Sequence, residues 1–218
     1  MREKFHEQLD RIFVDMAAIC RLVETAVGQA SEALMSGDAG VAESVISADV
    51  HIDLAREAVE ESAFELLSLQ QPVAGDLRSV VAALRMVTEL ERMGDLSVHV
   101  AKIARLRVPD VAVPEDIRPT VARMAHVAED MVGRLTTIIL SRDLDEASSL
   151  REDDDEMDQL RRANFTEMLS DDWTHGVEAA VDIALLGRYY ERIADHAVSV
   201  ANRVVFVVTG EKPNSISG

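Results

Sequence analysis

Apolar residues recur every three or four positions along almost the whole chain, which is the period of one face of an α-helix. This pattern predicts six long helices, separated by short breaks at Gly, Pro and Asp residues. Gly, Pro and aromatic residues are scarce, whereas small and aliphatic residues are abundant, and this composition favours helices over sheet. The predicted helices cover residues 5–34, 39–69, 74–106, 117–138, 144–169 and 176–208.

The second half of the chain repeats the first. At an offset of 105 positions, Glu24 corresponds to Glu129 and Gly28 to Gly133, and in the last helix the offset falls to 100. A five-residue deletion at the bend before that helix explains the change. We therefore predict an all-α fold, a tandem pair of antiparallel three-helix bundles related by a pseudo-two-fold repeat. The predicted segments are residues 1–107 for the first repeat, 108–115 for a linker, 116–209 for the second repeat and 210–218 for a disordered tail.

The chain is strongly acidic, with 40 Asp and Glu against 22 Lys and Arg, a net charge of −18. Such a surface argues against binding to nucleic acid or to an anionic membrane, and it suits a cation or a basic protein partner. No apolar run approaches the length of a membrane span, and the N-terminus opens directly into a charged helix. We therefore expect a soluble, cytoplasmic protein without membrane insertion, in which the single cysteine, Cys20, packs in the core.

Pairs of acidic residues four positions apart stand out in this acidic chain, because such residues share one helix face. An Asp or Glu stands four positions before an Asp six times, where about four occurrences are expected by chance. Four of these pairs occupy equivalent positions in the two repeats, on the second and third helix of each. The candidate site residues are therefore Asp49, Asp53, Glu91, Asp95, Asp154, Asp158, Glu191 and Asp195.

Two facing helices with one acidic pair each would present four carboxylates to one spot, which suits cations such as Mg, Mn, Ca or Fe. The alternative is a solvated acidic face without a metal. Arg92 and Arg192 follow the glutamates directly and would either form ion pairs with them or orient them as ligands. Glu89 could add a ligand in the first repeat only, whereas His196 lies off the acidic face and suits either a structural role or a role in orienting the ligands.

The sequence carries no motif of a known catalytic site. A Glu-x-x-His pattern, as in di-iron oxidases, occurs only at Glu3 and His6, at the end of the chain. A Gly-rich phosphate loop and a Ser-His-Asp arrangement are not evident. We therefore predict that the protein is not an enzyme, although a hydrolase using water bridged between clustered metal ions stays open as a third hypothesis.

Four stretches of the sequence resemble the PhoU family of phosphate-signalling regulators, and the resemblance covers nearly the whole chain. In the first repeat they are Gln-Pro-Val-Ala-Gly-Asp-Leu-Arg at 71–78 and Leu-Glu-Arg-Met-Gly-Asp at 90–95. In the second they are Glu-Arg-Ile-Ala-Asp-His-Ala at 191–197 and Val-Val-Phe-Val-Val-Thr-Gly at 204–210. The second repeat departs from the pattern because it lacks the Gln-Pro bend and has Ala194 where the first has Gly94.

The resemblance implies two three-helix bundles whose Glu/Asp-x-x-x-Asp motifs hold metal ions, with the eight carboxylates named above as ligands. The metal would be Fe, Mn, Mg or Zn. It further implies a homodimeric negative regulator of the phosphate-starvation response that links a phosphate ABC transporter to a phosphate-sensing histidine kinase. The alternative is a metal-free helical adaptor whose solvated acidic faces contact partner proteins.

Overall fold

The structure is a computed structural model that describes residues 2–211, and every regular element in that range is an α-helix. The predicted all-α fold with six long helices is therefore confirmed. Each helix begins and ends within three residues of its predicted limit. The helices are α1 (Arg2–Ser36), α2 (Ala39–Gln70), α3 (Gly75–Arg107), α4 (Arg118–Ser141), α5 (Leu144–Met168) and α6 (Gly176–Thr209).

The first bend of each repeat is built in the same way. Asp38 precedes α2 and accepts hydrogen bonds from the backbone amides two and three residues further on, at 2.8 and 3.1 Å. Asp143, 105 positions later, caps α5 identically, with both bonds at 3.0 Å. These caps satisfy amides that the first helical turn leaves unpaired, so they fix where α2 and α5 begin.

Within each repeat the three helices contact one another, and the two repeats meet along two antiparallel pairs, α1 with α4 and α3 with α6. Arg142, the residue directly after α4, donates to Asp10 of α1 at 3.3 Å. In the other pair, Arg78 near the start of α3 donates to the Val207 carbonyl near the end of α6 at 3.1 Å. The buried apolar residues form one continuous cluster that includes all six helices. Helices α2 and α5 lie on the two outer sides, each packed only within its own repeat.

The α1–α4 crossing depends on two glycines in the middle of these helices. A Cβ atom added at Gly28 would lie 2.6 Å from Oε1 of Glu129, and one added at Gly133 would lie 2.7 Å from Oε1 of Glu24. Each glutamate therefore occupies the space above the glycine of the facing helix. The arrangement is reciprocal because both pairs come from equivalent positions, which is what a pseudo-two-fold axis requires.

The segment between the repeats packs on the helices. Ala112 and Val113 are buried, and Val111 lies against the α1–α2 bend, where its Cγ2 atom is 3.5 Å from the Cβ position of Gly37. At the other end, Gly210 adopts a φ of 78° and caps α6. The predicted disordered tail lies outside the described residues from position 212 onward.

The structure confirms the prediction for the single cysteine. Cys20 is fully buried, as predicted, and burial raises the pKa of its thiol to about 12. Within residues 2–211, none of the helices is both long enough and apolar enough to cross a membrane.

Candidate metal centres

Helices α2 and α3 bring the four carboxylates of the first repeat into one electrostatic neighbourhood. Burial raises the pKa of Asp49, and repulsion from Asp53 on its own helix and from Asp95 on α3 raises it further. The pKa of Glu91 is also raised, by burial first and then by Asp95 and, across the interface, by Asp53. Carboxylates influence one another in this way only when they are close. We call these four residues the first acidic cluster.

Two arginines lie beside the first acidic cluster. Arg92 contacts both carboxylates of its own helix, with its Nε atom 3.6 Å from Glu91 and its NH1 atom 3.4 Å from Asp95. Arg56 of α2 donates to Glu60 at 2.7 Å and lowers the pKa of Glu91 through its charge. The contacts of Arg92 are long and exposed to solvent, so they neutralise the cluster only partly.

Asp154, Asp158, Glu191 and Asp195 form the corresponding second acidic cluster, between α5 and α6. Burial raises the pKa of Asp154 to about 6, and the charges of Asp195, Asp158, Asp155 and Glu191 add to the effect in that order. The pKa of Asp195 is raised as well, by burial and by Glu191. Asp154 and Asp195 therefore hold a proton more readily than isolated carboxylates would.

Glu191 differs from its counterpart Glu91 because two arginines bind it directly. Arg161 of α5 donates to its Oε1 atom at 3.1 Å, and Arg188 of α6 donates to its Oε2 atom at 2.5 Å. The glutamate is 9% exposed, so the contacts are largely shielded from water. Arg192, the neighbour that the sequence suggested as its partner, is exposed. One carboxylate of the second acidic cluster is therefore already neutralised by the protein itself.

Both clusters consist of carboxylate oxygens, which are chemically suitable ligands for a metal ion. Carboxylate oxygens are the ligands that Mg, Mn, Ca and Fe ions prefer, and a bound cation would relieve the repulsion that raises these pKa values. Among residues 2–211, however, no three His, Cys, Asp or Glu side chains lie close enough together to hold an ion as they stand. Metal binding by the eight carboxylates stays a prediction.

Sequence reasoning gave Glu89 the wrong role. Its carboxylate points across the α3–α6 interface, where Oε2 is 2.7 Å from Nδ1 of His196 and Oε1 accepts from Arg203 at 2.9 Å. These two contacts, the His196 hydrogen bond above all, lower the pKa of Glu89. Glu89 therefore links the two repeats instead of pointing into the first acidic cluster, and His196, of the two roles expected for it, has the structural one.

Arg92 was predicted beside the first acidic cluster, but Arg56, Arg161 and Arg188 were not, although the sequence holds a signal for two of these three. Arg56 and Arg161 stand at equivalent positions, three residues after Asp53 and Asp158, so Asp-x-x-Arg is repeated at an offset of 105. Arg188 has no such signal, because its first-repeat equivalent is Thr88.

We expect Asp154→Asn to stabilise the protein at pH 7.5. The unfolded chain ionises Asp154 near its ordinary pKa of 3.8, whereas the folded chain holds the proton up to about pH 6. Stability from this group is therefore lost as the pH rises from about 4 to about 6. The shift corresponds to at most about 3 kcal/mol, and solvent screening of this partly exposed group reduces the expected gain to about 1 kcal/mol.

Urea unfolding in the presence of a chelator, at pH 7.5 and at pH 4, measures this effect. The difference between variant and wild type should be much smaller at pH 4, where the folded state is protonated and the unfolded state, with a pKa near 3.8, is only partly ionised. Glu152→Gln removes one exposed charge from the same helix and should change stability by less than about 0.5 kcal/mol. A variant at Asp154 that loses stability at pH 7.5 would show that its carboxylate is not under repulsion.

Comparison with known proteins gives the same result along the whole chain. The model of the PhoU domain family matches residues 16–104 and 121–204, one match in each repeat. The phosphate-specific transport system accessory protein PhoU homolog 2 of Mycobacterium tuberculosis is 47% identical over 213 residues, 98% of this chain and 100% of that protein. PhoU homolog 1 of Mycobacterium leprae is 46% identical over 98% of this chain and 96% of its own length.

Solved structures agree with these sequence matches. The crystal structure of PhoU from Pseudomonas aeruginosa superposes with a TM-score of 0.86 at 28% identity, covering 95% of this chain and 100% of that one. The phosphate transport system regulatory protein PhoU from Streptococcus pneumoniae gives 0.85 at 25% identity, over 96% and 99% of the two chains. The resemblance inferred from the sequence motifs is confirmed, and this chain belongs to the PhoU family.

Proposed function

We propose that this protein is a cytoplasmic regulator of phosphate homeostasis. It acts as a homodimeric, non-enzymatic accessory of a phosphate ABC transporter and as a negative regulator of the phosphate-starvation response through a sensor histidine kinase. The observation that carries this proposal is the full-length similarity, at 46–47% identity, to proteins named as accessories of the phosphate-specific transport system. The acidic helical body supports it, because such a surface suits contacts with basic regions of partner proteins.

The regulatory part is tested in a strain from which this gene is deleted. The deletion should switch on phosphate-starvation genes in phosphate-rich medium, and the wild-type gene should switch them off again. Starvation genes that stay silent in the deleted strain would contradict the proposal, provided that a strain lacking the transporter induces them under the same conditions.

We further propose that the two acidic clusters bind metal ions and that metal occupancy is part of regulation. The support is that burial, and after it mutual repulsion between the carboxylates, raises the pKa values of Asp49, Glu91, Asp154 and Asp195. The bound ion would supply positive charge between α2 and α3 and between α5 and α6. We expect stronger binding at the first acidic cluster, because Arg161 and Arg188 already neutralise Glu191 in the second.

Metal analysis of purified protein after exposure to Fe, Mn, Mg or Zn tests this proposal. Asp49→Asn/Asp53→Asn should lower the metal content per chain by more than Asp154→Asn/Asp158→Asn. The matched control is Glu61→Gln/Glu65→Gln, a pair of exposed acids four positions apart on α2 and outside the cluster. Equal metal content in all three variants and the wild type would contradict binding at the clusters.

A metal-free adaptor is the second candidate function. The observation that favours it is the lack, within the described part of the chain, of three potential ligands close enough to hold an ion. It predicts that partner binding weakens with salt but is unchanged by a chelator. Loss of partner binding on chelation, restored by adding metal, would decide against it.

A further inference from the structure

An apolar groove of about 490 Å³ lies where α5 ends and α6 begins. All of its lining residues are apolar or glycine, and Leu169 and Val177 are among the most exposed large apolar residues of the chain, at 82% and 80%. Exposed apolar surface of this kind marks a place where another molecule binds. None of the lining residues belongs to either acidic cluster.

Two rows of side chains give the groove the shape of a seat for a helix. Phe165 lies in the last turn of α5 and Leu169 caps that turn, with its backbone amide donating to the Phe165 carbonyl at 3.1 Å, while Val177 and Val181 stand four positions apart on α6. Residues at this spacing form a ridge along one face of a helix, and the space between two such ridges accepts the ridge of a third helix. The matching ligand is a helix with apolar residues at positions i, i+3 or i+4, and i+7.

The bend that closes the groove is held in place by hydrogen bonds. Trp173 lines the groove, and its Nε1 atom donates to the Gly176 carbonyl at 2.9 Å. The next aromatic residue, His175, is 2.7 Å from a carboxylate oxygen of Asp116, which precedes α4. The groove therefore exists before a partner arrives, and a partner helix does not need to order it.

The charge around the groove selects the partner. Glu167, Asp171 and Asp172 are all exposed and stand within two residues of lining positions. A second copy of this chain that docked here would bring the same exposed acids against them, so repulsion disfavours self-association through this groove. A helix with Lys or Arg residues along the edges of its apolar face would instead be attracted.

Residues 212–218 are too few to reach the groove. The groove lies along α6 from its start to Ala184, and the end of α6 at Thr209 is 25 helical residues further on, which is about 38 Å. Seven residues span at most about 25 Å when fully extended. We propose that this groove docks a basic amphipathic helix of a partner protein, independently of the acidic clusters and of any metal.

The single tryptophan of the chain lines the groove and so reports directly on its occupancy. The probe is a synthetic helix of Leu and Lys residues without aromatic residues, with Leu at i, i+3 or i+4, and i+7. Titrating it into the full chain at physiological salt should shift the Trp173 emission to the blue in a saturable manner. The same helix with Glu in place of Lys should bind about tenfold more weakly or worse.

Val177→Asp separates groove docking from attraction to the acidic surface. It places a charge in the groove and should weaken probe binding about tenfold or more, although it makes the protein more acidic. Asp suits the first turn of a helix, so α6 should fold normally, which circular dichroism checks. Val14→Asp adds the same charge at a 53% exposed apolar position of α1 and should leave probe binding unchanged.

Val14 is a suitable control because it lies far from the groove. Its neighbour Phe13 contacts Arg142 just before α5, with the guanidinium 5.1 Å from the ring centre, and α5 then runs about 32 Å before it reaches the groove at Phe165. Probe binding that is equal or tighter in the Val177 variant would overturn the proposal, as would saturable binding without a change in Trp173 emission. Self-association of the wild type that Val177→Asp abolishes would also overturn it, because a second copy would then occupy the groove.

Discussion

Replacing Tyr190 with alanine should destabilise the protein by about 4 kcal/mol, among the largest effects expected of a single substitution in this chain. Tyr190 of α6 is 1% exposed, and its hydroxyl shares a 2.9 Å hydrogen bond with Ser31 of α1. The substitution leaves a cavity in the core that both repeats share and removes a contact between α6 and α1. Urea unfolding monitored by circular dichroism measures the change.

Two further variants separate the cavity from the hydrogen bond. Tyr190→Phe keeps the ring and should cost only about 1 kcal/mol, since Ser31 still donates to the Val27 carbonyl. Leu90→Ala, at the equivalent position of α3, should cost about 3 kcal/mol because Leu90 is fully buried without a polar group. A Phe variant as unstable as the Ala variant would show that the hydroxyl, and not the packing, dominates at this position.

The helices could be predicted from the sequence because each has its own local signals. The apolar period sets the extent of each helix, and Asp38 and Asp143 are caps that the sequence displays directly before α2 and α5. The repeat gave a second indication of where these helices begin, since the break before α2 and the break before α5 occur at equivalent positions. The repeat register likewise selected the acidic residues that α2 with α3 and α5 with α6 bring together.

The contacts between the repeats could not be predicted, because no local pattern encodes which helices of two similar bundles face each other. The sequence showed that Gly28 and Gly133 are equivalent. It did not show that a glutamate of the other repeat packs against each of them. Glu89 failed as a predicted ligand for the same reason, because its partners His196 and Arg203 lie more than a hundred positions away.

The apolar groove was not predicted from the sequence. It lies at the bend between α5 and α6, where five residues of the first repeat have no counterpart, and this bend has no apolar period of its own. Trp173 and His175 lie in this bend and belong to none of the motifs that the sequence shows. Their function in fixing the groove depends on Gly176 and on Asp116, and the hydrogen bond to Asp116 spans a sequence separation of 59. Local sequence patterns do not carry information about such contacts.

Replacing Gly94 with leucine should destabilise the protein by about 3 kcal/mol and disturb the first acidic cluster. A Cβ atom at this buried position of α3 would lie 2.9 Å from Cδ1 of Ile52 and 3.4 Å from Oδ1 of Asp49, both on α2. A leucine side chain cannot fit this contact unless α2 moves away from α3. The measurements are urea unfolding for stability and metal content for the cluster.

Alanine at the same position is the graded control. The second repeat carries Ala194 there, and the higher helix propensity of alanine offsets part of the strain, so Gly94→Ala should change stability by less than about 1 kcal/mol. Ile52→Val removes the Cδ1 methyl group that the new Cβ meets, so the double variant Gly94→Ala/Ile52→Val should be more stable than the sum of its single effects. Additive effects would show that α2 and α3 adjust freely here, and then the spacing of the two acidic pairs would not depend on Gly94. If metal content fell in Gly94→Leu but not in Gly94→Ala, the separation of α2 and α3 would be the property on which ion binding depends.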